Sequence, residues 1–263
     1  MHRSGTVYAF GWKAALIGEI AAAERALSDT DHDQAIHQTR VRLKRVRTLT
    51  RLAAGLGGAS AVSRSARALK YTLSGWRDLA ALESAARTTA TGARKKGAAA
   101  LIDIAARLSQ ARLTLGSPAI DDLSDAIAQL RADAAALPDL TVRDVRRGAK
   151  RVAKDARRAW KRAVRSADVE ARHRWRRREK DRLYAAAILG DAWPAKRRRR
   201  INDALGDILG QERDARLLLE RLKSEPAPHT PAAKAARRAL KRAIRRLKAR
   251  SDRLGARLHR RGA

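Results

Sequence analysis

The chain has 263 residues, with 60 Lys and Arg against 27 Asp and Glu, a formal net charge of +33. Apolar residues at 44% exclude a chain disordered by composition, and aromatics at only 3%, beside abundant alanine, leucine and arginine, favour helix over strand. The absence of cysteine excludes disulfides, thiolate metal sites and a cysteine nucleophile. The expected segments follow in chain order. Lys13 to Leu27 reads as a first helix, stopped by Ser28-Asp29-Thr30-Asp31. A second runs from about His32 to Ala54 and ends at Gly55-Leu56-Gly57-Gly58, a glycine stop. A third spans about Ser60 to Arg87 and a fourth about Ala93 to Leu115. Ser117-Pro118 reads as the cap of a shorter helix that ends near Leu137-Pro138.

Thr141 to about Ser166 comes next, with Thr141 and Asp144 resembling a capping box. About Val169 to Leu189 follows. Trp193-Pro194 ends that segment and opens another that reaches Leu222. Glu225 to Pro231 is a linker, and Thr230-Pro231 caps a last helix that runs toward Arg257. No signal peptide and no run of about 18 uncharged apolar residues is seen. A soluble, cytoplasmic protein without a membrane span is therefore expected.

One pattern occurs twice. His37, Arg40 and Lys44 in IHQTRVRLKRVR match His173, Arg176 and Lys180 in ARHRWRRREKDR, so each copy reads His-x-x-Arg-x-x-x-Lys. An Arg-Asp pair follows each histidine at the same distance, Arg77-Asp78 and Arg213-Asp214. Retained internal spacing and mutual separation point to a tandem duplication. The expected organisation is one 1–263 domain, with a four-helix repeat at 1–116, a linking helix at 117–138 and a second four-helix repeat at 139–263.

Folded self-repulsion of this size is offset by binding a polyanion. Of the basic residues, 46 are arginine, whose planar fork grips phosphate oxygens bidentately. A GC-rich genome would equally explain the arginine share, but not the net charge. At about 100° per residue, His37, Lys44, Arg51, Arg40 and Arg47 share one arc of about 80°. Leu43, Val46 and Leu49 lie on other arcs and can pack. The second copy keeps His173, Arg176 and Lys180 together, but Leu183 and Ala187 stand where Arg47 and Arg51 would recur.

Two further stripes follow i+3 and i+4 steps. One holds Arg143, Arg147, Lys150, Lys154, Arg158, Lys161 and Arg165; the other holds Lys234, Arg238, Lys241, Arg245 and Lys248. Like charges so spaced destabilise an isolated helix, a cost that a long anion along the stripe offsets. A plain solvated basic face is the competing reading. Cationic neighbours push a histidine toward neutrality until phosphate arrives. Asp78 and Asp214 either orient the basic stripe or pair structurally with the arginine before them, the second being favoured. No set of ligands recurs at metal spacing, so no metal and no cofactor is expected.

HQTRVRLKRVR and HRWRRREKDR, with SGWRDL and LGQERD further on, resemble the CHAD family, the conserved-histidine alpha-helical domain. The resemblance covers nearly the whole chain. It implies an all-α fold of two pseudo-twofold-related four-helix bundles around a basic groove or pore. It also implies binding of inorganic polyphosphate and, for bacterial members, association with polyphosphate granules. The groove residues so implied are His37, Arg40, Lys44, Arg47, Arg51, His173, Arg176 and Lys180. The two basic stripes add Arg147, Lys150, Lys154, Arg158, Arg238, Lys241 and Arg245 to the expected polyphosphate contacts. Many relatives carry a triphosphate-tunnel enzyme domain, but its Glu-x-Glu-x-Lys signature is absent, so a stand-alone, non-enzymatic binder is expected.

Two rival functions are weighed against this one. Nucleic acid fits the charge and would be a weaker polyanion ligand, but no recognition-helix, zinc-finger or RNA-module motif appears. A phosphohydrolase would need acidic metal ligands or a Gly-Lys-Ser/Thr phosphate loop, and neither appears. Chain-length preference and oligomeric state leave no trace in the sequence.

Overall fold

In the computed structural model, residues 11–115, 121–166, 168–194, 199–224 and 230–259 are described. Among them lie ten α-helices and no strand. The helices are α1 (Trp12–Leu27), α2 (His32–Leu52), α3 (Ala59–Thr72), α4 (Ser74–Thr91), α5 (Lys95–Thr114), α6 (Asp121–Ala135), α7 (Val142–Arg165), α8 (Val169–Leu189), α9 (Arg199–Ser224) and α10 (Pro231–His259). A short 3-10 turn, Gly190–Ala192, follows α8.

Local chemistry sets most of these boundaries. The Asp31 carboxylate accepts hydrogen bonds from the Asp33 and Gln34 amides at 2.9 and 3.2 Å, which caps α2. Asp168 does the same for α8 through the Glu170 and Ala171 amides. Thr141 and Asp144 form the expected reciprocal cap. The Asp144 amide donates to Thr141 Oγ1 at 3.2 Å, and that hydroxyl donates to the Asp144 carboxylate at 2.6 Å. Thr230 Oγ1 accepts from the Ala233 amide and starts α10. Beyond α2 the chain turns through Gly55 and Gly58, whose φ angles of 107° and 81° disfavour any side chain.

One expected helix is two. The segment anticipated over 60–87 breaks at Leu73 into α3 and α4. Thr72, Ser74 and Gly75 surround the break, and all three are weak helix formers. Leu73 itself is buried, which holds the corner in place. The Ser117-Pro118 cap and the linker at 225–229 fall outside the described residues.

The chain divides into two compact units, each discontinuous in sequence. The first holds residues 1–71, 119–156 and 181–197; the second holds 72–118, 157–180 and 198–263. In the first unit α1 packs on both α2 and α6. Its residues Trp12, Leu16, Ile20 and Ala23, spaced by three or four, are fully buried. Trp12 Nε1 donates to the Leu49 carbonyl at 2.9 Å, so even the polar edge of that ring is satisfied. Gly148 lets α7 meet the end of α2, since a Cβ there would overlap the Leu52 backbone.

In the second unit α4, α5, α9 and α10 share an alanine- and leucine-rich core that includes Ala86, Leu101, Leu218 and Leu240. A second cluster joins Trp160 of α7, Trp175 of α8, and Leu205 and Leu209 of α9. His259 stacks on Trp160 with ring centroids 5.3 Å apart and sits 2.9 Å from the buried Glu179 carboxylate. Gly255 lets α10 pass these two indole rings, because a Cβ there would overlap both.

Candidate functional site

The site begins on α2. Leu43, Val46 and Leu49 are fully buried, as the helical angles require, which leaves the cationic arc along the border of the buried face. The members of that arc do not share one environment. His37 is exposed, while Lys44 and Arg47 are half-buried. Arg40 is only 8% exposed. Its Nη1 donates to the Lys70 carbonyl at 3.0 Å, satisfying an acceptor in the last turn of α3. Arg51 faces two carboxylates, with Nη2 3.3 Å from Asp155 and Nε 3.1 Å from Asp181.

The structure adds residues that sequence reasoning missed. Arg67 and Lys70 on α3 bracket Tyr71, which is 53% exposed. Arg67 Nη2 donates to the phenol oxygen at 3.3 Å, and Lys70 Nζ lies 4.2 Å from the ring centroid. The Arg67 hydrogen bond, with the charges of Lys70, Arg67 and Arg47, pulls the Tyr71 hydroxyl below its ordinary value. The i+3 and i+4 spacing of Arg64, Arg67, Lys70 and Tyr71 was a readable signal for this second cationic face.

On α7 the expected stripe is solvated. Arg147, Lys150 and Lys154, in the first unit, and Arg158, in the second, are all exposed. Arg147 pairs with Asp144 at 2.7 Å. The opposite face of the helix buries Val145, Gly148, Ala149, Val152 and Ala156. The α10 stripe behaves alike: Arg238, Lys241 and Arg245 are exposed, and Lys248 pairs with Asp252 at 3.2 Å.

The second motif copy, on α8 in the second unit, is set more evenly, and its histidine is less exposed than His37. His173, Arg176 and Lys180 are each half-buried. Burial is the main force holding His173 below its ordinary value of 6.5; Glu170 opposes it, and the charges of Arg213, Arg176 and Arg177 reinforce it. The sequence therefore indicated the direction, but burial leads the cationic neighbours as cause. Burial also lowers Lys180, helped by Arg176 and opposed by Asp207, Asp203 and Asp214. Those three aspartates lie on α9. Asp214 is paired with Arg213 at 3.0 Å, the structural pairing favoured for it.

Beside this copy, Arg172 is locked into a buried network. It makes a two-pronged contact with Glu212 at 2.6 and 2.7 Å, meets Asp252 at 2.8 Å and donates to Ser251 Oγ at 2.7 Å. Burial alone would lower its pKa, but the Glu212 and Asp252 carboxylates outweigh that and raise it. This network ties α8 to α9 and α10 next to the motif in sequence.

Chemically, the arrangement offers fixed and exposed cations to phosphate oxygens, with one histidine poised to take up a proton. Among the described residues, no group of three or more His, Asp or Glu side chains could hold a metal ion. No helix of the described residues is long and apolar enough to cross a membrane.

Comparison with known proteins bears on this geometry. A family model described as CHAD domain matches residues 14–223. The fold resembles the crystal structure of the CHAD domain from the plant Ricinus communis, with a TM-score of 0.66 at 21% identity, covering 93% of this chain and 88% of that one. It also resembles PptA from Streptomyces chartreusis, with a TM-score of 0.63 at 17% identity, covering 94% of this chain and 98% of that one. No curated protein matches the sequence.

Proposed function

The chain belongs to the CHAD family, and from that premise we propose that it is a non-catalytic binder of inorganic polyphosphate. The observation that carries this reading is the repeated His-x-x-Arg-x-x-x-Lys set, present on α2 of one unit and on α8 of the other in a chain of net charge +33. Polyphosphate is a flexible string of anions without bases. Binding it needs dense cations and no aromatic platform, and this chain has many arginines and few aromatics.

In this reading the two copies descend from one repeat, 1–116 and 139–263, and both contact the polyanion. Lys44, Arg47, Arg176 and Lys180 are the principal ligands. Arg147, Lys150 and Lys154 in the first unit, and Arg158, Arg238, Lys241 and Arg245 in the second, add solvated contacts. Arg40 and Arg51 hold neighbouring helices as well as adding positive potential. His37 and His173 each contribute one hydrogen bond. The cellular consequence is recruitment to cytoplasmic polyphosphate granules.

Titration of the full chain with long-chain polyphosphate over a series of salt concentrations tests the reading. Affinity should fall steeply as salt rises, because each neutralised phosphate releases a counterion. Orthophosphate release from polyphosphate in the presence of magnesium, lost in His37→Ala, would instead make the protein an enzyme.

A further inference from the structure

A cavity of about 550 Å³ opens wholly within the second unit, among α4, α9 and α10. That volume falls inside the range of small-molecule sites, about 300–1,000 Å³. Arginines line it: Arg77 from α4, and Arg246, Arg250 and Arg253 from α10. The α10 residues stand at i, i+4 and i+7, so they share one helix face over about 10 Å. Other arginines in this unit are already committed, as Arg172 and Arg216 are to Glu212 and Arg213 is to Asp214. None of the four cavity arginines pairs with another described residue. The one carboxylate in the lining, Asp214, is held by Arg213 and leaves their charge in place.

The rest of the wall is different in kind. Ala81 and Ala85 of α4, Ala215 of α9, and Ala243 and Leu247 of α10 give it an apolar floor, with Ala215 and Ala243 buried. Alanine at four of these positions leaves the space open. Ser84, Thr88 and Gln211 add neutral hydrogen-bonding groups. A bare phosphate chain has nothing to place against an alanine floor. A molecule with a planar, weakly polar body and a short run of phosphates uses both parts: arginine forks take the phosphates, and guanidinium planes and the floor take the ring.

We propose that this cavity binds a nucleoside polyphosphate, with the triphosphate on Arg246, Arg250 and Arg253 and the nucleoside against the alanine floor. The lining includes Arg77 and Asp214 of the repeated Arg-Asp pairs but no residue of the His-x-x-Arg-x-x-x-Lys sets, so the proposal does not require polyphosphate binding by α2 and α8.

The test is equilibrium titration of the full chain, without divalent cations, with ATP and with inorganic tripolyphosphate. The two carry similar charge, so charge alone would make tripolyphosphate at least as good a ligand. ATP should bind at least about tenfold more tightly, and Arg250→Ala and Arg253→Ala should each weaken ATP by roughly ten- to hundredfold. Ala85→Leu, which fills the floor, should weaken ATP and leave tripolyphosphate unchanged. Ala249→Leu, at an exposed position of the rim, repeats that test should Ala85→Leu unfold, as read by thermal melting. Equal affinity for the two ligands, or ATP binding that survives Arg250→Ala, overturns the proposal. Failure of the polyphosphate reading would appear elsewhere, in long-chain titrations of variants on α2 and α8.

Discussion

His37 and His173 open the same pattern, yet the two copies are set differently. On α2 the histidine is exposed, and the basic residues after it are partly spent on structure. Arg40 holds the end of α3, and Arg51 meets carboxylates from α7 and α8. On α8 the histidine and lysine are half-buried, their proton affinities lowered chiefly by burial, beside an arginine fixed by two carboxylates. Desolvated cations gain more from an arriving phosphate than hydrated ones do, because the same attraction acts through less water. A repeat in sequence therefore need not be a repeat in energy.

The largest expected effect separates the walls behind the two copies. Arg172→Ala leaves Glu212 buried without its main partner and should cost about 3–5 kcal/mol, lowering the melting temperature by roughly 6–20 °C. Arg45→Ala, which removes a half-exposed partner of Glu19 on the α2 side, should cost about 1 kcal/mol or less. Similar losses from the two variants would erase the contrast.

The next effect concerns binding. Removing Lys180, whose proton affinity burial lowers, together with its neighbour Arg176, as Lys180→Met and Arg176→Ala, should weaken long-chain polyphosphate by about a hundredfold or more. Lys44→Met with Arg47→Ala should cost about tenfold. The reverse order, in a titration at fixed salt, would make α2 the stronger copy.

The pH response is smaller and has a definite sign. Burial, with the charges of Arg213, Arg176 and Arg177, lowers the proton affinity of His173 and favours its neutral form in the free protein. Phosphate favours its charged form, so binding takes up a proton. Affinity should rise as pH falls below about 7 and level off once the free protein is itself protonated. His173→Ala should lose this component in titrations between about pH 5 and pH 8, and an unchanged profile in that variant would show that His173 does not meet the ligand.

The smallest effect probes Arg51. Asp155→Asn with Asp181→Asn removes the two carboxylate charges beside its guanidinium and should raise polyphosphate affinity by about two- to fivefold. No gain would mean that Arg51 acts in structure alone.

Helix ends were legible wherever the signal is local. Asp31, Thr141 and Thr230 cap helices through amides two or three residues away, so the boundaries could be read from neighbours. The break at Leu73 was not legible, because helix-compatible apolar spacing continues across it and only Thr72, Ser74 and Gly75 weaken it. The arc on α2 could be drawn from helical angles alone. Which of its members would be consumed could not, since Arg40 meets a carbonyl 30 residues away and Arg51 a carboxylate 104 residues away. Tyr71 and its two cations lie outside the repeated histidine pattern, and only their spacing on α3 marks them.

The most direct test of polyphosphate binding is competition at about physiological ionic strength, where exposed charges are screened beyond about 8 Å. Long-chain polyphosphate and duplex DNA, matched in total charge, would compete for the full chain. Polyphosphate should displace the duplex, and the preference should narrow in the Arg176→Ala, Lys180→Met variant. Equal or stronger retention of DNA by the unaltered protein would contradict that preference.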